Sequence, residues 1–293
     1  MTLRNTITAF ALGAALSAAA SAPAPSRPFG DEYVLAWAEE FNADSLDRSI
    51  WNVEVNGSGC GNNELQYYID SPGNISLADG NLVITARREN CDGHAFTSGR
   101  LNTLGNFQFT YGLVEARVKL PSTSDGLWPA VWFLGADYHT NAWPRCGEID
   151  LLEMGHADGI ATSTQDRLFN GAVHYGTGSH HQQVGPFTMP ASLQDGEYHS
   201  FFLRWTPQAI EMFVDDVAEP YLCIDITDHT PEQPGYYFHK PQFLILNLAV
   251  GGDFPGIHDP GKVTALSGDG SSASMAIDYI RVFTPQNQYL TQK

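Results

Sequence analysis

The chain has 293 residues, with 15 Lys plus Arg against 33 Asp plus Glu and a formal net charge of -18, yet only 16% of its residues are charged. Its 43% hydrophobic and 12% aromatic content excludes a disordered acidic tail and supplies a sizeable core. An acidic surface repels phosphate backbones and anionic lipid, so nucleic acid and membrane surfaces are not expected as partners and the ligand is expected to be neutral or cationic.

At the N-terminus, Arg4 precedes a mostly apolar run at residues 7–20 (ITAFALGAALSAAA), and the small-residue sites Ala18-Ala19-Ala20 and Ala20-Ser21-Ala22 follow. This is the pattern of a secretory signal peptide over residues 1–22. A membrane anchor competes with it, but the run is shorter than the ~20 residues that cross a bilayer. A secreted, extracellular protein is expected, or a periplasmic one if the source is Gram-negative, monomeric and without membrane contact after processing. A Pro-rich spacer at residues 23–32, one domain at 33–285 and a tail at 286–293 complete the organisation. The cysteines Cys60, Cys91, Cys146 and Cys223 allow three complete pairings in an exported protein. Cys60 and Cys91, both in Gly/Asn-rich loops, are the candidate disulfide.

Along the domain the periodicity is that of strands. Residues 75–87 (ISLADGNLVITAR) give two short runs joined by Asp79-Gly80, a hairpin signal because Gly tolerates positive φ. Residues 111–120 alternate Val114, Ala116 and Val118 with Glu115, Arg117 and Lys119, which predicts one buried and one wet face. The same grammar recurs at 200–214, with a Thr206-Pro207 turn, at 243–250 and at 275–283. No convincing helix exceeds about two turns, and 28 Gly and 17 Pro punctuate the turns. The expected fold is all-β, two stacked antiparallel sheets.

The densest chemistry lies at residues 147–155 (GEIDLLEMG). On a helix, at about 100° per residue, Glu148, Asp150 and Glu153 would leave no apolar face for Ile149, Leu151, Leu152 and Met154. On a strand, Glu148 and Asp150 share a face, and a β-bulge between Leu151 and Leu152 brings Glu153 to the same side. At ~3.3 Å per residue the two glutamates stand about 13 Å apart along the backbone, close enough for their side chains to lean to the ~5–5.5 Å separation of a retaining glycosidase. Proximity to Glu148 is expected to raise the pKa of Glu153 and keep it protonated, while Asp150 holds or shares a proton with Glu148. A solvated acidic face or a calcium site competes with this assignment. Trp128, Trp132 and Trp143 just upstream favour sugar, because indole faces stack on apolar sugar faces while carboxylates and amides take the hydroxyls.

These segments, together with Glu39-Glu40-Phe41-Asn42, residues 61–68 (GNNELQYY), 79–88, 97–101, 126–135 (GLWPAVWFLG), Trp143-Pro144, His174-Tyr175-Gly176, 244–252 (LILNLAVGG) and 277–283 (IDYIRVF), resemble glycoside hydrolase family 16 in its laminarinase-like branch. The resemblance implies a β-jelly-roll with an open concave cleft and a retaining endo-1,3-β-glucanase acting on laminarin-like or mixed 1,3/1,4 β-glucans. It implies Glu148 as nucleophile, Asp150 as its assistant and Glu153 as acid/base. It also implies Asn63, Arg100, Trp128, Trp132 and Trp143 along the glycone subsites, His174 near the acid/base, and Asn247 as a further contact. No cofactor is needed for the chemistry; a structural calcium ion at Glu40, the Gly80 carbonyl and Asp278 is implied on the convex face. The five-residue spacing of the glutamates makes a strict lichenase less expected. A transglycosylase, a hydrolase of agar or carrageenan, and a non-catalytic glucan-binding protein are the rivals.

Other motifs are plain. There is no HExxH zinc motif and no GxSxG esterase elbow, and His180-His181 in a Ser/Gly/Gln loop is read as surface.

Overall fold

A computed structural model describes residues 29–30 and 33–285. The expected signal peptide at 1–22, most of the expected spacer and the tail at 286–293 lie outside the described residues. In chain order the strands are β1 (Tyr33–Glu39), β2 (Asn52–Val53), β3 (Gln66–Tyr68), β4 (Ile75–Ala78), β5 (Asn81–Arg87), β6 (Phe96–Ser98), β7 (Arg100–Asn102), β8 (Gly112–Lys119) and β9 (Leu127–Gly135). They continue with β10 (Glu148–Met154), β11 (Leu168–Tyr175), β12 (His181–Thr188), β13 (His199–Trp205), β14 (Ala209–Val214), β15 (Leu222–Asp225), β16 (Gln242–Val250) and β17 (Ser272–Pro285). The α-helix among the described residues is α1 (Ala157–Thr162), consistent with the expected absence of long helices.

Two sheets stack as a jelly-roll sandwich. The seven-stranded sheet runs β12-β11-β10-β9-β16-β7-β2, and the ten-stranded sheet follows β15-β14-β13-β8-β17-β5-β6-β3, with β1 on β17 and β4 on β5. Pairing is antiparallel except between β3 and β6. The Asp79-Gly80 hairpin forms as read: both residues take positive φ (52° and 74°), which closes the two-residue turn between β4 and β5.

Alternating residues from both sheets meet in one core. Phe133 and Leu246 from the seven-stranded sheet and Val114, Phe201 and Ile280 from the other are fully buried there. Burying each such side chain contributes roughly 1.5–3 kcal/mol against the entropy of folding. Trp205 adds direction, since its indole N–H is satisfied by the Phe238 carbonyl at 3.0 Å. One expectation fails on β8. Glu115, assigned to the wet face, is 2% exposed because Tyr279 and Ser200 from neighbouring strands hydrogen-bond its carboxylate and cover it.

The Cys60–Cys91 disulfide is not formed. All four cysteines are free thiols, with Cys146 fully buried and Cys223 exposed on β15.

Candidate active site

Strand β10 lies between β9 and β11, and its register carries the site. Asp150 faces Trp132 on β9 and Ala172 on β11, whereas Glu153 faces Ala130 and Asn170, so the pairing slips by one residue between them. The bulge falls at Leu151 and Leu152, both fully buried, and it returns Glu153 to the side of Glu148 and Asp150. All three carboxyls open into one cavity of about 290 Å³ on the outer face of the seven-stranded sheet.

Low solvation sets their titration. Burial, then the charge of Asp150, pushes Glu153 up to about 8, opposed by His174 and by a hydrogen bond from Trp128. Burial and then Asp150 likewise raise Glu148, and burial raises Asp150, which is 4% exposed. The expected upward shift of Glu153 is present, but burial and Asp150 lead it rather than Glu148. His174 acts on Glu153 through its charge and lies closest to the other two acids. Its register partner is Glu148, and its Nε2 stands 3.3 Å from Asp150 Oδ2 and 3.9 Å from Glu148 Oε1, beside the pair at the head of β10.

The tryptophans do different things. Trp128 on β9 donates its indole N–H to Glu153 Oε1 at 3.1 Å and stacks on Phe254 at 4.6 Å and 11°, so one ring face is covered by protein. Trp132, two positions along the same face, donates to Asn247 Oδ1 at 2.7 Å and carries the Arg100 guanidinium 4.9 Å above its ring. Trp143 is 48% exposed and packs on His180, which puts an open aromatic face at the cavity wall. Arg100 lines the cavity from β7, paired with Glu54 at 3.0 Å, and Asn247 lines it from β16.

Asn63 does not join them. It takes positive φ at an exposed turn, and its amide binds both oxygens of Asp253 at 3.1 Å. Its neighbours Asn62 and Glu64 line the cavity instead. Glu64 is in phase with inward-facing Gln66 and Tyr68, accepts from Gln66 Nε2 at 2.6 Å and from the Tyr68 hydroxyl at 2.9 Å, and burial raises its pKa. The period-two alternation of residues 64–68 was the available signal for Glu64. His180 and His181 are exposed, as read, but His180 also touches the site: its Nε2 lies 2.8 Å from His174 Nδ1. Nothing local in a Ser/Gly/Gln loop announces that contact.

Two of the implied calcium donors face arginines. Both oxygens of Glu40 accept from Arg281, at 2.7 and 2.9 Å, and Asp278 Oδ2 accepts from Arg117, so a hard dication at these side chains competes with two guanidinium groups. A different trio, Glu148, Asp150 and His174, brings ligand atoms within 4.8 Å of one another, inside the carboxylate cluster itself.

Comparison with known proteins gives one family. Residues 62–278 match the family described as Glycosyl hydrolases family 16. The chain is 34% identical over 257 residues to a β-glucanase of Rhodothermus marinus, covering 85% of this chain and 84% of that one. Among solved structures it is similar to a Bacteroides ovatus mixed-linkage glucan family 16 protein in complex with a G4G4G3G product, at 37% identity and TM-score 0.75, covering 84% of this chain and 99% of the other. It is also similar to the catalytic domain of an endo-1,3-β-glucanase (laminarinase) from Thermotoga petrophila RKU-1, at 33% identity and TM-score 0.73, covering 88% and 100%.

Proposed function

The chain belongs to glycosyl hydrolase family 16, and on that premise we propose that it is a secreted endo-1,3-β-glucanase that cleaves internal bonds of laminarin-like glucans by double displacement. The observation that carries this reading is the placing of Glu148, Asp150 and Glu153 on one face of a bulged strand, under tryptophan walls.

In this mechanism Glu153, with a pKa near 8, is protonated at neutral pH and gives its proton to the glycosidic oxygen as that bond breaks. Glu148 attacks the anomeric carbon and forms a glycosyl ester. The Trp128 N–H stabilises the carboxylate left on Glu153, which then takes a proton from water as the water attacks the ester and frees Glu148. Asp150 shares a proton with Glu148, and His174 at 3.3 Å supplies a compensating dipole or charge to Asp150. Trp132 and Trp143 offer apolar ring surface to glucose rings, and Arg100 and Asn247 offer hydrogen bonds to hydroxyls. The chemistry needs no cofactor, and the apolar run at residues 7–20 directs export.

Mixed 1,3/1,4 glucans are the second substrate class, favoured by the similarity to the mixed-linkage protein from Bacteroides ovatus. Parallel digests of laminarin, curdlan, lichenan and agarose, with early products identified by mass and linkage, test the assignment. Laminari-oligosaccharides are expected, and their absence overturns it. Glu148→Ala is expected to abolish laminarin hydrolysis; retention of more than about 5% of the rate removes Glu148 from the role of nucleophile.

A further inference from the structure

The bulge that aligns the two glutamates leaves the Leu151 carbonyl outside the regular ladder, buried between the sheets. An unsatisfied buried carbonyl costs about 1–3 kcal/mol, so its partner matters. The partner is remote in sequence: the Tyr221 hydroxyl donates to Leu151 O. Tyr221 arrives from the segment between β14 and β15, in the opposite sheet, with its own N–H on the Met212 carbonyl at 2.8 Å. Its ring is set edge-on to Phe169 of β11 at 4.8 Å and packs near Phe187 of β12 at 6.2 Å, which fixes where the hydroxyl sits.

Gly171 makes room for it. This residue of β11 faces the bulge, between the Asp150↔Ala172 and Glu153↔Asn170 pairs. A Cβ there would stand 2.6 Å from a Tyr221 ring carbon and 2.7 Å from Met212 Sδ. The glycine, the tyrosine and the bulge are therefore one arrangement, in which a side chain from one sheet passes through the missing Cβ of the other and grips the carbonyl of the slipped residue.

We propose that Tyr221 is a positioning residue for the acid/base: by holding Leu151 O it fixes the offset of Glu153 from Glu148. The proposal rests on the glutamate roles given above. Glu148, Ile149 and Asp150 before the slip and Glu153 after it are all paired on both β9 and β11, so each half of the strand has its own register and the slip between them is what Tyr221 holds. Release of the Leu151 carbonyl loosens that slip and with it the offset of Glu153 from Glu148.

The test compares Tyr221→Phe with wild type on laminarin and on a dinitrophenyl laminari-oligoside, whose leaving group departs without a proton. Rates are expressed per site labelled by a 2-deoxy-2-fluoro glycoside, so that misfolded protein is not counted. On laminarin kcat is expected to fall about 10- to 100-fold with KM within about twofold, the size of effect that a sub-ångström to ångström misplacement produces. On the dinitrophenyl substrate the glycosylation rate is expected to change less than about threefold, because acid assistance is not needed there. Unchanged kcat on laminarin with a lowered melting temperature makes Tyr221 a structural tether and overturns the proposal. Equal losses on both substrates overturn it too, since Glu153 would not be the group displaced. If Tyr221→Phe does not fold, Gly171→Ala, which pushes the ring while keeping the hydroxyl, carries the same comparison and the same two outcomes. An active Glu148→Ala enzyme overturns the functional reading itself, whatever Tyr221 does.

Discussion

Two groups of carboxylates sit on opposite sheets of this sandwich, and they are treated in opposite ways. On the ten-stranded sheet three are matched to arginines: Glu40 to Arg281, Asp278 to Arg117, and Glu211 to Arg204 through two bonds of 2.7 Å. On the seven-stranded sheet Glu148, Asp150 and Glu153 crowd one face, with His174 beside the first two and the Trp128 N–H on the third. The first arrangement neutralises charge and ties strands together. The second raises the pKa of all three acids and keeps Glu153 protonated at neutral pH, which costs stability. Carboxylate count therefore says little; the identity of the facing residue decides whether an acid is structural or reactive.

That contrast breaks most sharply at Glu153. Glu153→Gln is expected to lower kcat on laminarin by about 10²- to 10⁴-fold. It should also stabilise the fold, in a pH-dependent way. A carboxyl with pKa 4.5 unfolded and about 8 folded carries its full contribution below pH 4.5 and loses it as pH rises toward 8, because the unfolded chain releases the proton first. The melting temperature of Glu153→Gln should thus match wild type at pH 4 and exceed it by about 10 °C at pH 8. Equal melting curves at both pH values would show that Glu153 is not held protonated by the fold.

Trp128→Phe sharpens the same point with a smaller effect. It removes the N–H that lowers the Glu153 pKa, so the basic limb of the kcat/KM profile should move above 8, with kcat down about tenfold. A basic limb that stays put or moves down contradicts the role given to that indole. On the other sheet, Arg281→Met should leave kcat unchanged and cost about 1 kcal/mol in urea unfolding, because Glu40 is partly exposed and can rehydrate. Loss of activity there would mean that the two sheets are coupled in a way the contacts do not indicate. The smallest effect is expected from chelation: EDTA should shift the melting temperature by less than about 1 °C, since the Glu40 and Asp278 side chains are already committed to arginines. A shift of several degrees would restore calcium to that face.

What was legible in the chain was whatever depends on neighbours in sequence. The Asp79-Gly80 turn, the strand at β8 and the need for a bulge inside 147–155 all follow from period-two geometry, and each is present, although Glu115 on β8 is buried. What was not legible depends on which residue arrives from elsewhere. Glu115 looked solvated until Tyr279 and Ser200 covered it; the arginines that Glu40 and Asp278 face, Arg281 and Arg117, likewise come from distant or neighbouring strands. His180 reached the site only through a loop closing on Trp143 and His174. Asn63 failed for a local reason, since its positive φ turns it away while Glu64 keeps the inward phase of the strand that follows.

The bulge at Leu151 has a consequence for how the chain tolerates length change. Strand faces obey parity: an even separation keeps two residues on one side, and an odd one separates them. Glu148 and Glu153 are five apart, so the slip at Leu151 acts as a parity correction. Deleting one residue there would leave a separation of four and a regular strand that still presents both acids to the cleft. A change of one residue elsewhere between them sends Glu153 into the core only if the slip stays in place. Length variation in this strand is therefore quantised, with one permitted step, and that step removes the carbonyl that Tyr221 holds.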